Sequence, residues 1–431
     1  MQSAGYGADM SKVHLPKGTR DLLPQQMNNR MQVIQTVRGV FERFGFQPLE
    51  TPAFERIETL MGKYGAEGDK LIYRILKRGE GGKRGEVDLA LRYDLTVPLA
   101  RMMAMNPGLP LPFKRYQIQP VWRADRPQKG RFREFYQCDV DIIGTESRLA
   151  EAECLAVVYS CFSELGFSKF TIRLNDRRIL HAMAAAIGAQ DQETSMLQAI
   201  DKLDKIGRDG VARELVARGF TEEQAKQLFA MLDGESIPDT AEVEAELDQV
   251  VQSARALGVA DGIIQRDRTL ARGLDYYTGP VYETVVTEPN IGSLSGGGRY
   301  DELIGMFSGR PVPAVGVALG LERIIVVMEE LGMLPSSACR TQVFVARFSD
   351  ETETATLDAT NQLRQAGVRT RLSLKGGKIG KQLKTADRLG IPWALIVGPD
   401  EAASSMVQLK NLTTGEQRVL PVEDAVEMIT S

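Results

Sequence analysis

Two long strand-forming runs, separated by a stretch that neither can continue, constrain this chain more than any other feature. RYQIQPVW (115–122) and EFYQCDVDII (134–143) are both rich in aromatic and β-branched residues. Between them lie Asp125, Pro127 and Gly130. Proline offers no ladder donor and glycine accepts turn geometry, so this stretch is a loop. The segment therefore reads as a hairpin. Arg123 ends the first strand, and the second begins near Arg133. On the returning strand Gln137, Asp139 and Asp141 recur at every second position and share one face. If that face lines a pocket, its buried polar side chains need partners, and a polar ligand supplies them.

The rest of the first 335 residues mixes helix and strand without the regular alternation of a parallel sheet. Residues 27–45 have Met31, Ile34, Val37, Val40 and Phe41 spaced for one helical face, and Gly45 stops them. Further strand-like runs occupy 71–76, 87–92 and much of 263–300. PVPAVGVALG then leads into a helix through Leu321, Ile324, Ile325, Met328 and Leu331. An antiparallel sheet flanked by helices fits this pattern. Residues 180–255 are rich in Ala, Leu, Gln, Glu and Asp at helical spacing, which predicts a helical insertion in the sheet domain. LPSSACR (334–340) reads as a linker. Beyond it, TQVFVARF, a helix near 352–366, VRTRLSL, a helix near 378–389 and WALIVG alternate as in a small α/β domain.

Charge is uneven. The 431 residues carry a net −4, which taken alone argues against a dedicated nucleic-acid binder. Yet Lys114 to Arg133 holds seven basic residues and one acid, and Arg364 to Arg388 holds eight and one. Two local basic patches on an acidic body suit a protein that holds phosphates at defined places. The cysteines Cys138, Cys154, Cys161 and Cys339 form no CxxC pair, and only His14 and His181 stand beside them, so neither a zinc site nor a disulfide framework is expected. No apolar run is long enough to span a membrane and no secretory signal is visible, which predicts a cytoplasmic protein.

The motifs then suggest a family. VWRADRPQKGRFREFYQCDVD (121–141) resembles motif 2 of the class II aminoacyl-tRNA synthetases, in the form used by histidyl-tRNA synthetases. The resemblance implies that Arg123 meets the ATP α-phosphate and the amino-acid carboxyl, that Arg131 also binds ATP, and that Gln137 and Asp141 line a histidine pocket. LARGLDYYTGPVYE (270–283) resembles the histidine-specific motif of the family. It implies that Arg272 sits opposite Arg123 across the α-phosphate and that Tyr276 and Tyr277 shape the imidazole pocket. In RYDLTVP (92–98), Asp94 and Thr96 match the pair that holds the substrate's α-ammonium. GVALGLER (316–323) resembles motif 3 and places Arg323 on the γ-phosphate. Pro52 matches the motif 1 proline of the dimer interface. The triple glycine 296–298 is expected to let backbone approach a ligand closely.

The resemblance covers nearly the whole chain. It implies an α+β class II synthetase with an antiparallel sheet and a helical insertion in residues 1–335, and an α/β anticodon-binding domain in 340–431. The expected partners are ATP with Mg²⁺, L-histidine, tRNA(His) and a second copy of the chain. The metal ligands stay open, with Glu322 among the possibilities. His14 and His181 are expected to take no part in catalysis. One departure is Asp125, where relatives commonly have Glu. A second reading of the same motifs is the synthetase-like regulatory subunit of ATP phosphoribosyltransferase, which typically lacks the tail. A third is a tRNA-binding module without catalysis.

Overall fold

The structure, a computed structural model, describes residues 13–62, 69–271, 276–335 and 339–430. They divide into two compact units: residues 13–21 with 33–333, and residues 22–32 with 334–430.

In the first unit, the described residues include one eight-stranded sheet. Its strands are β1 (Gln47–Pro48), β5 (Phe113–Trp122), β6 (Glu134–Ile143), β7 (Thr171–Asp176), β8 (Ile264–Arg266), β9 (Pro280–Val285), β10 (Ser295–Arg299) and β11 (Ala314–Gly320). Their order across the sheet is β1-β5-β6-β11-β10-β9-β7-β8. Only the edge pairs β1–β5 and β7–β8 are parallel. The predicted hairpin is the β5–β6 pair, in register from Phe113 opposite Ile143 to Trp122 opposite Glu134. A separate three-stranded sheet pairs β4 (Val87–Leu91) with β2 (Phe54–Arg56) and β3 (Arg74–Leu76).

Alternation gives the large sheet two unlike faces. One carries Cys138, Val140 and Ile142 beside Val315, Val317 and Leu319, all buried. The helix Leu149–Glu164 packs against these strands and buries Cys154, Leu155, Val158, Cys161 and Phe162. Three of the four cysteines thus lie buried inside the protein. The same helix carries Glu151, which pairs with Arg299 through Nε (2.6 Å) and Nη2 (2.8 Å). A buried charge needs such pairing, so this bidentate bridge fixes β10 to the helix. The other face is polar and carries the site.

Helices dominate from Arg177 to Ala256, where the composition predicts an insertion. The helix Leu203–Ala217 contains a break at Gly207 (φ 67°), a conformation glycine adopts without Cβ strain.

The second unit holds a sheet in the order β13-β12-β14-β15-β16. Its strands are β12 (Val343–Ala346), β13 (Thr370–Leu372), β14 (Trp393–Ile396), β15 (Val407–Asn411) and β16 (Gln417–Leu420). The first three are parallel, as strand–helix alternation requires. The last two add an antiparallel edge that the alternating pattern does not predict.

Candidate active site

The polar face of the large sheet floors a cavity of about 600 Å³. Register places its residues in rows. Gln119, Gln137 and Gly320 form one row, and Gln117, Asp139 and Ala318 the next. Arg115, Asp141 and Gly316 form the third. The second row continues through Gly296 and Glu283. Small residues in mid-row leave the space, and polar side chains bound it.

Asp141 is the best supported of the acids. Arg115 Nη2 lies 2.7 Å from its Oδ2, and Tyr300 donates its hydroxyl to Oδ1. Both acid and guanidinium are sealed from solvent. Burial pushes the Asp141 carboxyl up, opposed by Arg115 and by the Tyr300 hydrogen bond. The neighbouring Gly316 is required by this arrangement, because a Cβ there falls 2.0 Å from Asp141 Oδ1.

Asp94 follows β4 and lies just before the helix Thr96–Met105. Its Oδ1 accepts from the Val97 amide (3.2 Å), so it steadies the helix start while lining the cavity with Thr96. Arg92, two residues earlier, is structural. Its guanidinium is buried and donates to the carbonyls of Thr51, Pro52 and Pro120. That ties the Pro52 segment to β5. Tyr276 and Tyr277 meet edge to face, ring centroids 4.9 Å apart, and Tyr276 meets Tyr300 the same way at 5.8 Å. They form the apolar wall beside Asp141. Burial pushes the Tyr277 phenol up, so it stays a neutral donor.

The cations stand toward the hairpin loop. Arg123 donates from Nε to the Tyr93 carbonyl (2.8 Å) and lies over the Phe135 ring at 5.3 Å. Anchored this way, it presents its Nη groups to the cavity. Arg131 lies in the loop, 4.0 Å from Asp125. Arg323, in the first turn of the helix Leu321–Glu330, donates to the Ser293 carbonyl (2.6 Å). The loop itself is braced by the opening segment, since the Arg133 amide donates to the Gly18 carbonyl (2.8 Å).

The structure brings Asp94, Thr96, Arg123, Arg131, Gln137, Asp141, Tyr276, Tyr277 and Arg323 around this one cavity. Arg272 lies outside the described residues. His181 is exposed and bonds Glu193 (2.7 Å), and neither His181 nor His14 lines the cavity. Of the triple glycine, Gly296 and Gly297 line the cavity, and strand packing adds a second reason for glycine. A Cβ at Gly297 falls 2.2 Å from the Gly316 carbonyl, and one at Gly298 falls 2.6 Å from the Pro280 carbonyl. Strand packing therefore demands glycine at those two positions. Sequence reasoning passed over Glu283, Tyr300 and Ser295, and also Asp201 and Lys205 of the insertion, all on the cavity wall. The period-2 pattern of β9 points to Glu283; nothing local points to Lys205.

Glu322, a possible metal ligand, accepts from the Tyr136 amide through Oε2 (2.9 Å) and faces Arg20 across 3.8 Å. Among the described residues no three His, Cys, Asp or Glu side chains are grouped to hold a metal ion.

Comparison with known proteins agrees with this geometry. The family model described as histidyl-tRNA synthetase matches residues 18–324, and the anticodon-binding domain model matches 342–431. The histidine–tRNA ligase of Cytophaga hutchinsonii is 43% identical, across 97% of this chain and 100% of its own. The crystal structure of a Nostoc histidyl-tRNA synthetase superposes with a TM-score of 0.84 at 34% identity, covering 97% of this chain and 99% of that one. A Bacillus halodurans chain described as ATP phosphoribosyltransferase regulatory subunit/histidyl-tRNA synthetase shares the fold (TM-score 0.71, 22% identity) over 86% of this chain and 96% of that one. With the motif residues gathered at one cavity and full-length relatives on both counts, the chain belongs to the histidyl-tRNA synthetase family.

Proposed function

We propose that this histidine–tRNA ligase activates L-histidine with ATP in the 600 Å³ cavity and passes it from there to tRNA(His). In the first step a histidine carboxylate oxygen attacks the α-phosphorus. The bond to the β-phosphate oxygen breaks and pyrophosphate leaves, giving histidyl-adenylate. In the second, the 3′-terminal ribose hydroxyl attacks the carbonyl carbon, and AMP leaves with the C–O bond that breaks.

The protein contributes positions and charge. Arg123, held at Nε and stacked on Phe135, meets the α-phosphate oxygens where charge grows. Arg272 is assigned to the opposite side of that phosphate, and Arg131 and Arg323 to the rest of the polyphosphate. Asp94 and Thr96 take the α-ammonium, Gln137 faces the amino-acid backbone, and Asp141 with Tyr276 and Tyr277 takes the imidazole. An imidazole has two distinct nitrogens, so polar groups on both sides select it. Mg²⁺ bound with ATP would supply further charge to the phosphates, with Glu283 and Glu322 as the acids at hand. No step requires a nucleophilic side chain. The tail, residues 340–431, is assigned to the anticodon, and Pro52 to contact with a second copy. With tRNA and ATP as partners, the cytoplasm is the assigned place of work.

The observation that carries this reading is the deep Arg115–Asp141–Tyr300 group beside paired tyrosines and below the Arg123 guanidinium. It is tested by ATP–pyrophosphate exchange with each amino acid in turn. Exchange with histidine alone is expected. Tight histidine binding without exchange would shift the assignment to a regulatory histidine-binding protein.

A further inference from the structure

Asp139 sits between Gln137 and Asp141 on β6, 2% exposed and on the cavity wall. Its Oδ1 is buried and has no hydrogen-bond partner. Asp141, by contrast, accepts from Tyr300 at Oδ1 and has the Arg115 guanidinium as an ion-pair partner at Oδ2. The flanking strands do not help it. Gln117, opposite on β5, spends its amide on Thr51 Oγ1 and Gln119 Oε1, and Ala318 on β11 has no polar atom to offer. Of the cations nearby, Arg115 pairs with Asp141 and Arg123 is anchored at Nε to Tyr93; both act on Asp139 only through their charge. Meanwhile burial, Asp141 and Asp94 push the Asp139 carboxyl well up, against the pull of Arg115 and Arg123. A buried acceptor in this state costs free energy unless something fills it. Asp94 acts on Asp139 as a like charge and lines the same cavity.

We propose that Asp139 is a second carboxylate for the α-ammonium of the incoming amino acid, sharing it with Asp94. This rests on the cavity being the histidine-activation site. An ammonium carries three N–H donors. Asp94, Asp139 and the Thr96 hydroxyl offer three acceptors in the same cavity, so the cation relieves the repulsion between the carboxylates and satisfies the orphan oxygen together. The imidazole pocket at Asp141 selects the side chain; Asp139 holds the end of the substrate that every amino acid shares. It binds the substrate and takes no part in bond making.

The test pairs a mutation with two substrate analogues. Histidinol keeps the amine and imidazole and lacks the carboxylate. Imidazole-4-propionic acid keeps the imidazole and carboxylate and lacks the amine. In Asp139→Asn, the shape is kept and the charge removed. Histidinol inhibition of exchange is expected to weaken by about tenfold or more, the loss typical of a charge-assisted hydrogen bond. The KM for histidine should rise alongside it, while imidazole-4-propionic acid inhibition and the KM for ATP stay as in the unaltered chain. Asp139→Ser should show the same split if the Asn variant folds poorly. Equal weakening of both analogues would place Asp139 at the imidazole or in the fold, and no weakening of histidinol would remove it from the site; either overturns the proposal. Failure of the unaltered chain to exchange with histidine would instead mark the activation reading as wrong.

Discussion

The two large sheets are made from similar strand-forming runs, yet they put opposite things inside the protein. In the five-stranded sheet both faces are apolar. Val343, Val345, Leu395 and Leu409 join one buried cluster, and Phe344, Ala346 and Ile396 join another. Its charges are outside: on the helix Ile379–Arg388, Ile379, Leu383 and Ala386 face the core, and Lys381, Lys384 and Arg388 are exposed. In the eight-stranded sheet one face buries Arg115, Gln117, Asp139 and Asp141. Burying charge opposes folding, whereas burying leucine and valine drives it. The first unit therefore accepts a cost in its interior to hold a small charged substrate away from water. The second has no such cost, as suits the proposal that it meets a large polyanion, tRNA, on its surface.

The largest test of that contrast is Arg123→Ala. Removing a preorganised cation from developing charge typically costs about 10²–10³-fold in rate. Histidine-dependent pyrophosphate exchange should fall by about that much, while thermal unfolding shifts little, because Arg123 is only half-buried. A small loss of exchange with a large loss of stability would make Arg123 a structural residue and dissolve the distinction between the interior site and its frame.

A smaller effect is expected from the other sheet. Replacing Lys381 and Lys384 by Ala together should raise the KM for tRNA by about tenfold and flatten its dependence on salt, since each phosphate contact releases counterions. Exchange, which needs no tRNA, should stay unchanged. A matching fall in exchange would mean that the exposed charges serve the chemistry and not the tRNA.

Much of this division was legible in the sequence because it is written in periods. The alternation Gln137, Asp139, Asp141 gives a polar face whatever the rest of the chain does, and the structure places that face on the cavity. The 3.6-residue spacing in the helices Pro24–Arg43 and Leu321–Glu330 is equally local. What was not legible depends on partners distant in sequence. Period 2 puts Asp139 and Asp141 on one face but cannot tell that Asp141 gains the Arg115 ion pair and the Tyr300 hydrogen bond while Asp139 Oδ1 is left without a hydrogen-bond partner. That Gly297 and Gly298 must be glycine for packing shows only when the Gly316 and Pro280 carbonyls are seen against them. Lys205 reaches the cavity from a helical segment with no motif of its own. The strands β15 and β16 are short and follow a helix of only six residues, too brief for a periodic signal.

The smallest effect bears directly on the cost of an interior site. Asp139 has its carboxyl raised, chiefly by burial. A raised group binds its proton more tightly folded than unfolded. Its contribution to stability is therefore complete in acid, below the ordinary carboxylate range, and is lost as pH rises through the raised value. Asn has no proton to lose and escapes this penalty. Asp139→Asn should thus be more stable than the unaltered chain at neutral pH. The advantage should shrink as pH falls from neutral toward the ordinary carboxylate range, where Asp139 is protonated folded and unfolded alike. Urea unfolding of the substrate-free protein across that range measures it. A pH-independent difference would mean that Arg115 and Arg123 already hold Asp139 charged at no cost, and the interior site would then be no more expensive to fold than the apolar sheet.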